Sequence, residues 1–216
     1  MVRVITISRE FGSGGSEVAR ILAERLNWEL IDDPLVAEIA KRAHVSTELA
    51  RRYDECVDPW FHRMFKALWH GGYEGVVSHG ELNAFDAEAM AGLWTRVIRE
   101  SAQLGSCVIV GRGGQCLLQG RKDVFHVSVF AEMEQRVRNL RGVLRRHLPP
   151  GIDPQAMAQE SDQRRSEYVR RYFGEDWKDY RLYHMVVNSA VGFEAAASAI
   201  LSAVGLATGS PAPLPA

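Results

Sequence analysis

The sequence predicts an α/β fold, a mainly parallel sheet with helices on both faces. Three observations carry that expectation. Short runs rich in valine and isoleucine, such as residues 2–7, 107–110 and 124–130, alternate with longer stretches of helical apolar spacing. The first run enters a loop containing Gly12, Gly14 and Gly15 and continues directly into an amphipathic helical pattern. Strand, glycine loop, helix is the order in which backbone N–H groups and a helix N-terminus hold a phosphate. At 216 residues and 46% hydrophobic composition, the chain suits one α/β domain with a small helical insert.

Taken in order, Ser16 is positioned to cap a helix running to about Leu26, with Val18, Ile21, Leu22 and Leu26 as its buried stripe. Residues 28–31 read as a short strand ending at Asp32-Asp33-Pro34, where the proline suits the first turn of another helix. Leu35, Val36, Ile39 and Ala40 keep helical spacing, and Ser46 or Thr47 opens a further helix to about Asp54. The pattern then changes. Trp60, Phe61, Met64, Phe65, Leu68 and Trp69 form an aromatic helical stripe followed by a glycine-containing loop, a helical excursion within the alternation. A helix from about Ala87 to Leu104 ends at Gly105, and a buried valine-rich strand closes on Gly111-Arg112-Gly113-Gly114.

After the strand at 124–130, Glu132 and Glu134 open a basic helix to about His147, whose arginines from Arg136 to Arg146 read mostly as a solvated face. Asp153 or Pro154 begins a charged helix to about Tyr172, a loop over 174–179 leads to a strand near 183–188, and a helix over about 193–204 closes the domain. Residues 1–207 form one domain in this reading, with the insert over about 57–86 and a lid over about 148–180. The Pro-rich tail, 208–216, is expected to be disordered.

Composition narrows the function. Lys plus Arg total 26 against 27 for Asp plus Glu, a net charge of −1, which argues against a nucleic-acid partner. Cys56, Cys107 and Cys116 have no metal-type spacing and read as reduced thiols, while the seven histidines are dispersed. No charged segment leads an apolar one at the N-terminus, and no apolar run approaches the roughly 18 residues of a membrane span. A cytoplasmic location, with no membrane partner, is the expectation.

The chemistry gathers where such sheets bind ligands, beyond the carboxyl ends of the strands. Against the phosphate-loop pattern G-x-x-x-x-G-K-[ST], the segment from Arg9 to Ser16 reads R-x-x-x-x-G-G-S. Gly14 and Ser16 match, Arg9 replaces the first glycine, and Gly15 replaces the lysine. Asp32 either caps a helix or contacts metal-bound water or an acceptor. Arg112 is delivered between glycines by a buried strand, which suits phosphate contact.

Four strings together resemble the cytidylate kinase-like family: S-R-E-F-G-S-G-G from Ser8 to Gly15, L-I-D-D from Leu30 to Asp33, V-I-V-G-R from Val108 to Arg112, and G-E-D-W from Gly174 to Trp177. The resemblance spans roughly residues 2–205. It implies a three-layer P-loop NTPase fold with a five-stranded parallel sheet, a helical acceptor-side insert and an arginine-bearing lid. It also implies transfer of the ATP γ-phosphoryl to a nucleoside monophosphate with Mg²⁺. Gly12, Ser13, Gly14, Gly15 and Ser16 would then hold the ATP phosphates, with Ser16 the metal ligand. Asp32, Arg112 and Arg164 would contact the acceptor, and Arg164, Arg165, Arg170 and Arg171 fall where lid arginines stand. In true cytidylate kinases the arginine lies within D-G-R-D, where this chain has Val110 and Gly113, and Glu38 stands where an arginine is usual.

Without the lysine, another cation must offset charge on the β- and γ-oxygens. Arg9, Arg170 and Arg171 are the candidates. The first function is therefore an ATP-dependent kinase of a small phosphorylated acceptor. The second is a nucleotide-binding or regulatory module that kept the fold and lost the chemistry, favoured by Gly15, Val110 and Gly113. A third is a structural protein assembling through the aromatic insert, whose stripe also leaves room for a homo-oligomer contact.

Overall fold

Strand β1 (Val4–Arg9) lies at the centre of a five-stranded sheet, between β3 (Cys107–Val110) and β4 (Val124–Phe130). Strands β2 (Glu29–Ile31) and β5 (Met185–Asn188) form the edges, so the order is β2-β3-β1-β4-β5, with every pairing parallel. The structure is a computed structural model and describes residues 1–32, 84–144 and 153–205. The expected helices between Pro34 and Asp54, the aromatic stripe Trp60–Trp69 and nearly all of the insert lie outside those residues, as do the stop at Pro149-Pro150-Gly151 and the tail.

Period-two alternation in β1 sorts side chains to two faces. Ile5 and Ile7, with Val108, Val110, Val127 and Val129, face α1 (Gly15–Leu26) and α6 (Phe193–Ala203), meeting Val18, Leu22, Ala197 and Ile200. Val4, Cys107, Ile109 and Val124 point the other way, onto Trp94, Val97 and Ile98 of α2 (Ala84–Leu104). Both faces of the central strands are dry, as parallel sheets require. Each fully buried isoleucine or valine contributes about 1.5–3 kcal/mol to the driving force. The three-layer α/β expectation holds.

Two local expectations change. The first strand runs to Arg9, because β1 stays in register with β4 through the Arg9–Val129 pair. Ser16 does not cap α1. Gly14 does, in the left-handed conformation at φ 79°, so the helix starts at Gly15 and Ser16 falls within its first turn, exposed. A single turn that the sequence did not announce, α3 (Gly114–Leu117), follows β3. Downstream, α4 covers Met133–Leu144 and α5 covers Pro154–Phe173, with Asp153 accepting hydrogen bonds from the Gln155 and Ala156 N–H groups. Tyr183 leaves the last strand and caps a short turn, Tyr180–Leu182.

One buried polar pair spans β1 and β4. Thr6 Oγ1 lies 2.7 Å from His126 Nδ1, and the His184 ring stacks on His126 with centroids 5.1 Å apart. Burial, then the neighbouring His184, push the His126 pKa from 6.5 to about 4, against a smaller opposing effect of the Leu118 carbonyl. The unfolded chain therefore binds a proton that the folded protein refuses. Stability is expected to be complete above pH 6.5 and to fall as pH drops toward about 4. Urea denaturation across that window, compared with His126→Gln, checks this, and the variant should show the shallower slope.

Candidate functional site

Parallel strands place their carboxyl ends on one edge, so Arg9, Asp32, Gly111-Arg112 and the residues after Asn188 share it. The loop from Glu10 to Gly14 is held from within. The Glu10 N–H donates to the Val129 carbonyl at 3.0 Å, and Ser13, fully buried, donates through Oγ to the Glu10 carbonyl at 2.8 Å. Ser189 Oγ donates to the Ser13 carbonyl, tying the loop to the end of β5. Gly12 and Gly14 have φ of +81° and +79°, and the Phe193 ring leaves no space for a side chain at Gly14. Gly14 has no side chain to cap α1, and apart from the Gly15 N–H, which donates to Ser13 Oγ at 3.4 Å, its first-turn N–H groups keep their usual affinity for an anion.

Beneath the loop lies a buried ion network. Arg136 Nε donates to the Phe11 carbonyl at 2.7 Å, and its guanidinium pairs with Asp162 and lies 3.4 Å from Glu10. Asp162 accepts from the Phe11 N–H at 2.8 Å, and Arg165 donates to the Arg9 carbonyl at 3.1 Å. Asn139 donates to the Gly12 carbonyl at 2.9 Å. Helices α4 and α5 thus clamp the loop backbone. This corrects the reading of Arg136 as part of a solvated face, since it is 4% exposed.

Opposite the loop, Gly111, Arg112 and Gly113 follow β3 with φ of +74°, +52° and +69°. Three successive left-handed residues are unusual, and only the middle one bears a side-chain penalty there. The Arg112 guanidinium sits 4.8 Å above the Trp94 ring, and Phe173, ending α5, fills the space over Gly113. Arg9 reaches toward this turn, for its Nη1 occupies the space a Cβ on Gly111 would need. Asp32 follows β2 on the same edge, half-buried.

The sequence matches the profile of the cytidylate kinase-like family over residues 4–191. This chain belongs to the cytidylate kinase-like family. A search of curated proteins returns no match. Among solved structures, it resembles an uncharacterized protein from Eubacterium ventriosum at 22% identity and a TM-score of 0.65, covering 95% of this chain and 99% of that one. Shikimate kinase from Acinetobacter baumannii, in complex with shikimate, is similar at 14% identity and a TM-score of 0.50, with 97% of each chain covered. A gluconokinase from Sinorhizobium meliloti shows 12% identity and a TM-score of 0.50, covering 94% of this chain and 91% of its own. These likenesses fix the fold as that of P-loop kinases.

Within this family member, the arginines of α5 separate. Arg164 pairs with Glu160 at 2.5 Å along the helix surface, and Arg165 turns inward to the loop. Arg170 is exposed, and Arg171 is exposed with its guanidinium 5.6 Å from the Tyr172 ring. Trp177 of the G-E-D-W string is buried, and its carbonyl lies 2.5 Å from Tyr183 Oη, which also reaches Ser8 Oγ at 3.2 Å. Burial pushes the Cys107 and Cys116 thiols up to about 12 and about 11. Among the described residues, no group of three or more His, Cys, Asp or Glu is placed to hold a metal ion. No described helix is long and apolar enough to cross a membrane.

Arg136 and Asp162 are the residues sequence reasoning missed. A signal was present. Arg136 stands three residues after Met133 and four before Leu140, and Asp162 falls between Ala158 and Val169 at spacings of four and seven. Both occupy apolar stripes, where a charge implies a buried partner.

Proposed function

We propose that the protein transfers the γ-phosphoryl group of ATP to a nucleoside monophosphate. The observation that carries this reading is that two elements suited to phosphate share one sheet edge. One is the loop 10–14 with the N-terminus of α1; the other is Arg112, held in a left-handed turn at the end of the neighbouring strand β3. The residues present fit the nucleotide. Gly12 and Gly14 supply the left-handed turns of the loop and let it pack against Leu140 and Phe193, Ser13 stiffens it from below, and Ser16 offers an exposed hydroxyl in the first helical turn. Mg²⁺ bound with ATP would neutralise charge on its phosphates, and Ser16 is the residue we assign to hold it.

In this reading the first-turn N–H groups of α1 orient the donor, and Arg112 grips the acceptor phosphate with its planar fork. Asp32, at the end of β2, is the residue we assign to accept a hydrogen bond from the acceptor. The clamp of α4 and α5 keeps the loop pre-organised, so less reorganisation is needed as charge develops. A panel of nucleoside monophosphates with ATP and Mg²⁺, read by ADP formation, tests the proposal. Shikimate and gluconate belong on the panel, as acceptors without a phosphate. ADP formation dependent on a monophosphate is expected.

A second reading has an observation of its own. Phe173 covers Gly113, where true cytidylate kinases carry an aspartate, and φ is +69° there. Acceptor recognition at this turn must differ from theirs. MgATP binding without turnover on any acceptor would favour a catalytically degenerate nucleotide-binding module.

A further inference from the structure

We infer that Arg9 is the phosphate-loop cation, carried at the first position of the loop in place of a lysine at Gly15, and that the two positions are mutually exclusive. The inference rests on the ATP-binding reading of the loop above. Gly15 lies in α1 without a positive φ, so its backbone accepts any L-residue. Space is what forbids a side chain. A Cβ built on Gly15 overlaps Arg9 Cβ, well inside the 3.0 Å that real Cβ atoms keep, and lies 3.2 Å from Arg9 Cγ and Val129 Cβ. The first atoms of the two side chains would therefore overlap. One of the two positions has to be glycine.

The pattern G-x-x-x-x-G-K-[ST] resolves that conflict with glycine first and a cation seventh. This chain resolves it in reverse, with arginine first and glycine seventh. The substitutions that looked like two independent losses are one exchange. Arg9 starts beside the position a lysine at residue 15 would start from, and its Nη1 reaches Gly111, next to Arg112. Gly111 preserves that path, because a Cβ there would meet the guanidinium. Arg165, donating to the Arg9 carbonyl at 3.1 Å, fixes the backbone from which the side chain springs. The charge so placed lies between the donor loop and the acceptor turn, and its ligand is the polyphosphate of MgATP. Arg170 and Arg171, exposed at the end of α5, are not needed for this role.

Calorimetry of MgATP binding, with thermal melting, on wild type, Arg9→Met, Gly15→Lys and the double variant Arg9→Gly/Gly15→Lys tests the exchange. Arg9→Met keeps an apolar stem but removes the charge, and is expected to weaken MgATP binding about tenfold or more. Gly15→Lys alone should melt well below wild type. The double variant should melt above Gly15→Lys and bind MgATP more tightly than Arg9→Met, which a merely structural role for Arg9 would not produce. Wild-type affinity in Arg9→Met, or a double variant that binds no better than Arg9→Met, overturns the inference and leaves ATP binding intact. Wild-type protein that binds no MgATP instead removes the loop reading itself, and the inference with it.

Discussion

Asp162→Ala is expected to destabilise the fold by about 3–5 kcal/mol, the usual cost of stripping one partner from a buried ion pair. Asp162 accepts from the Phe11 N–H and pairs with Arg136 and Arg165, and it is 8% exposed. Its removal takes away the closest carboxylate of the buried Arg136 guanidinium and leaves it the Phe11 and Ala158 carbonyls and the Glu10 carboxylate at 3.4 Å. The same change releases the loop backbone, so MgATP binding should weaken along with stability. Removing both charges, as in Asp162→Leu/Arg136→Met, should cost less than the two single losses summed, because no orphaned ion remains. Urea denaturation of wild type, Asp162→Ala, Asp162→Leu, Arg136→Met and the double variant measures this. A single-variant loss below about 1 kcal/mol would show that the pair is solvated and the clamp unimportant.

The second large effect separates function from stability at one residue. Arg112→Gly is expected to lower kcat/KM for the acceptor about 100-fold, the upper range for losing a charged hydrogen bond to phosphate. Its stability should change by less than about 1 kcal/mol, because two contributions oppose each other. Glycine relieves the left-handed backbone at φ 52°, worth about 1 kcal/mol, while the stacking on Trp94 that is lost is worth about 0.5–1 kcal/mol. Steady-state kinetics with the acceptor varied, alongside thermal melting, reads both. Unchanged kinetics would assign Arg112 to packing against Trp94 and remove it from the site.

Much of the fold was legible along the chain. Strands β3 and β4 fall where their valine runs predict, and Gly105 and Gly174 stand just beyond helix ends. Such features depend on neighbours within a few residues, where side-chain periodicity and turn chemistry act. The start of α1 was less legible, because a left-handed Gly14 competes with Ser16 as the cap, and its choice depends on the packing of Phe193 against the loop. The separate roles of Arg164 and Arg165 were also hidden. Adjacent arginines on one helix point to different surroundings, and only the neighbouring loop shows which one turns inward.

By itself, the sequence determined that this is an α/β chain with a glycine loop between its first strand and first helix, arginine at its first position and glycine where a lysine is usual. Tertiary structure alone decided that these last two facts are one. Residues 9 and 15 compete for the same space only because the loop folds back on itself, while Gly111, about a hundred residues further along the chain, forms the other wall. Periodicity records which way a side chain faces; exclusion of one atom by another is a property of the packed interior, where no void is left to relieve it.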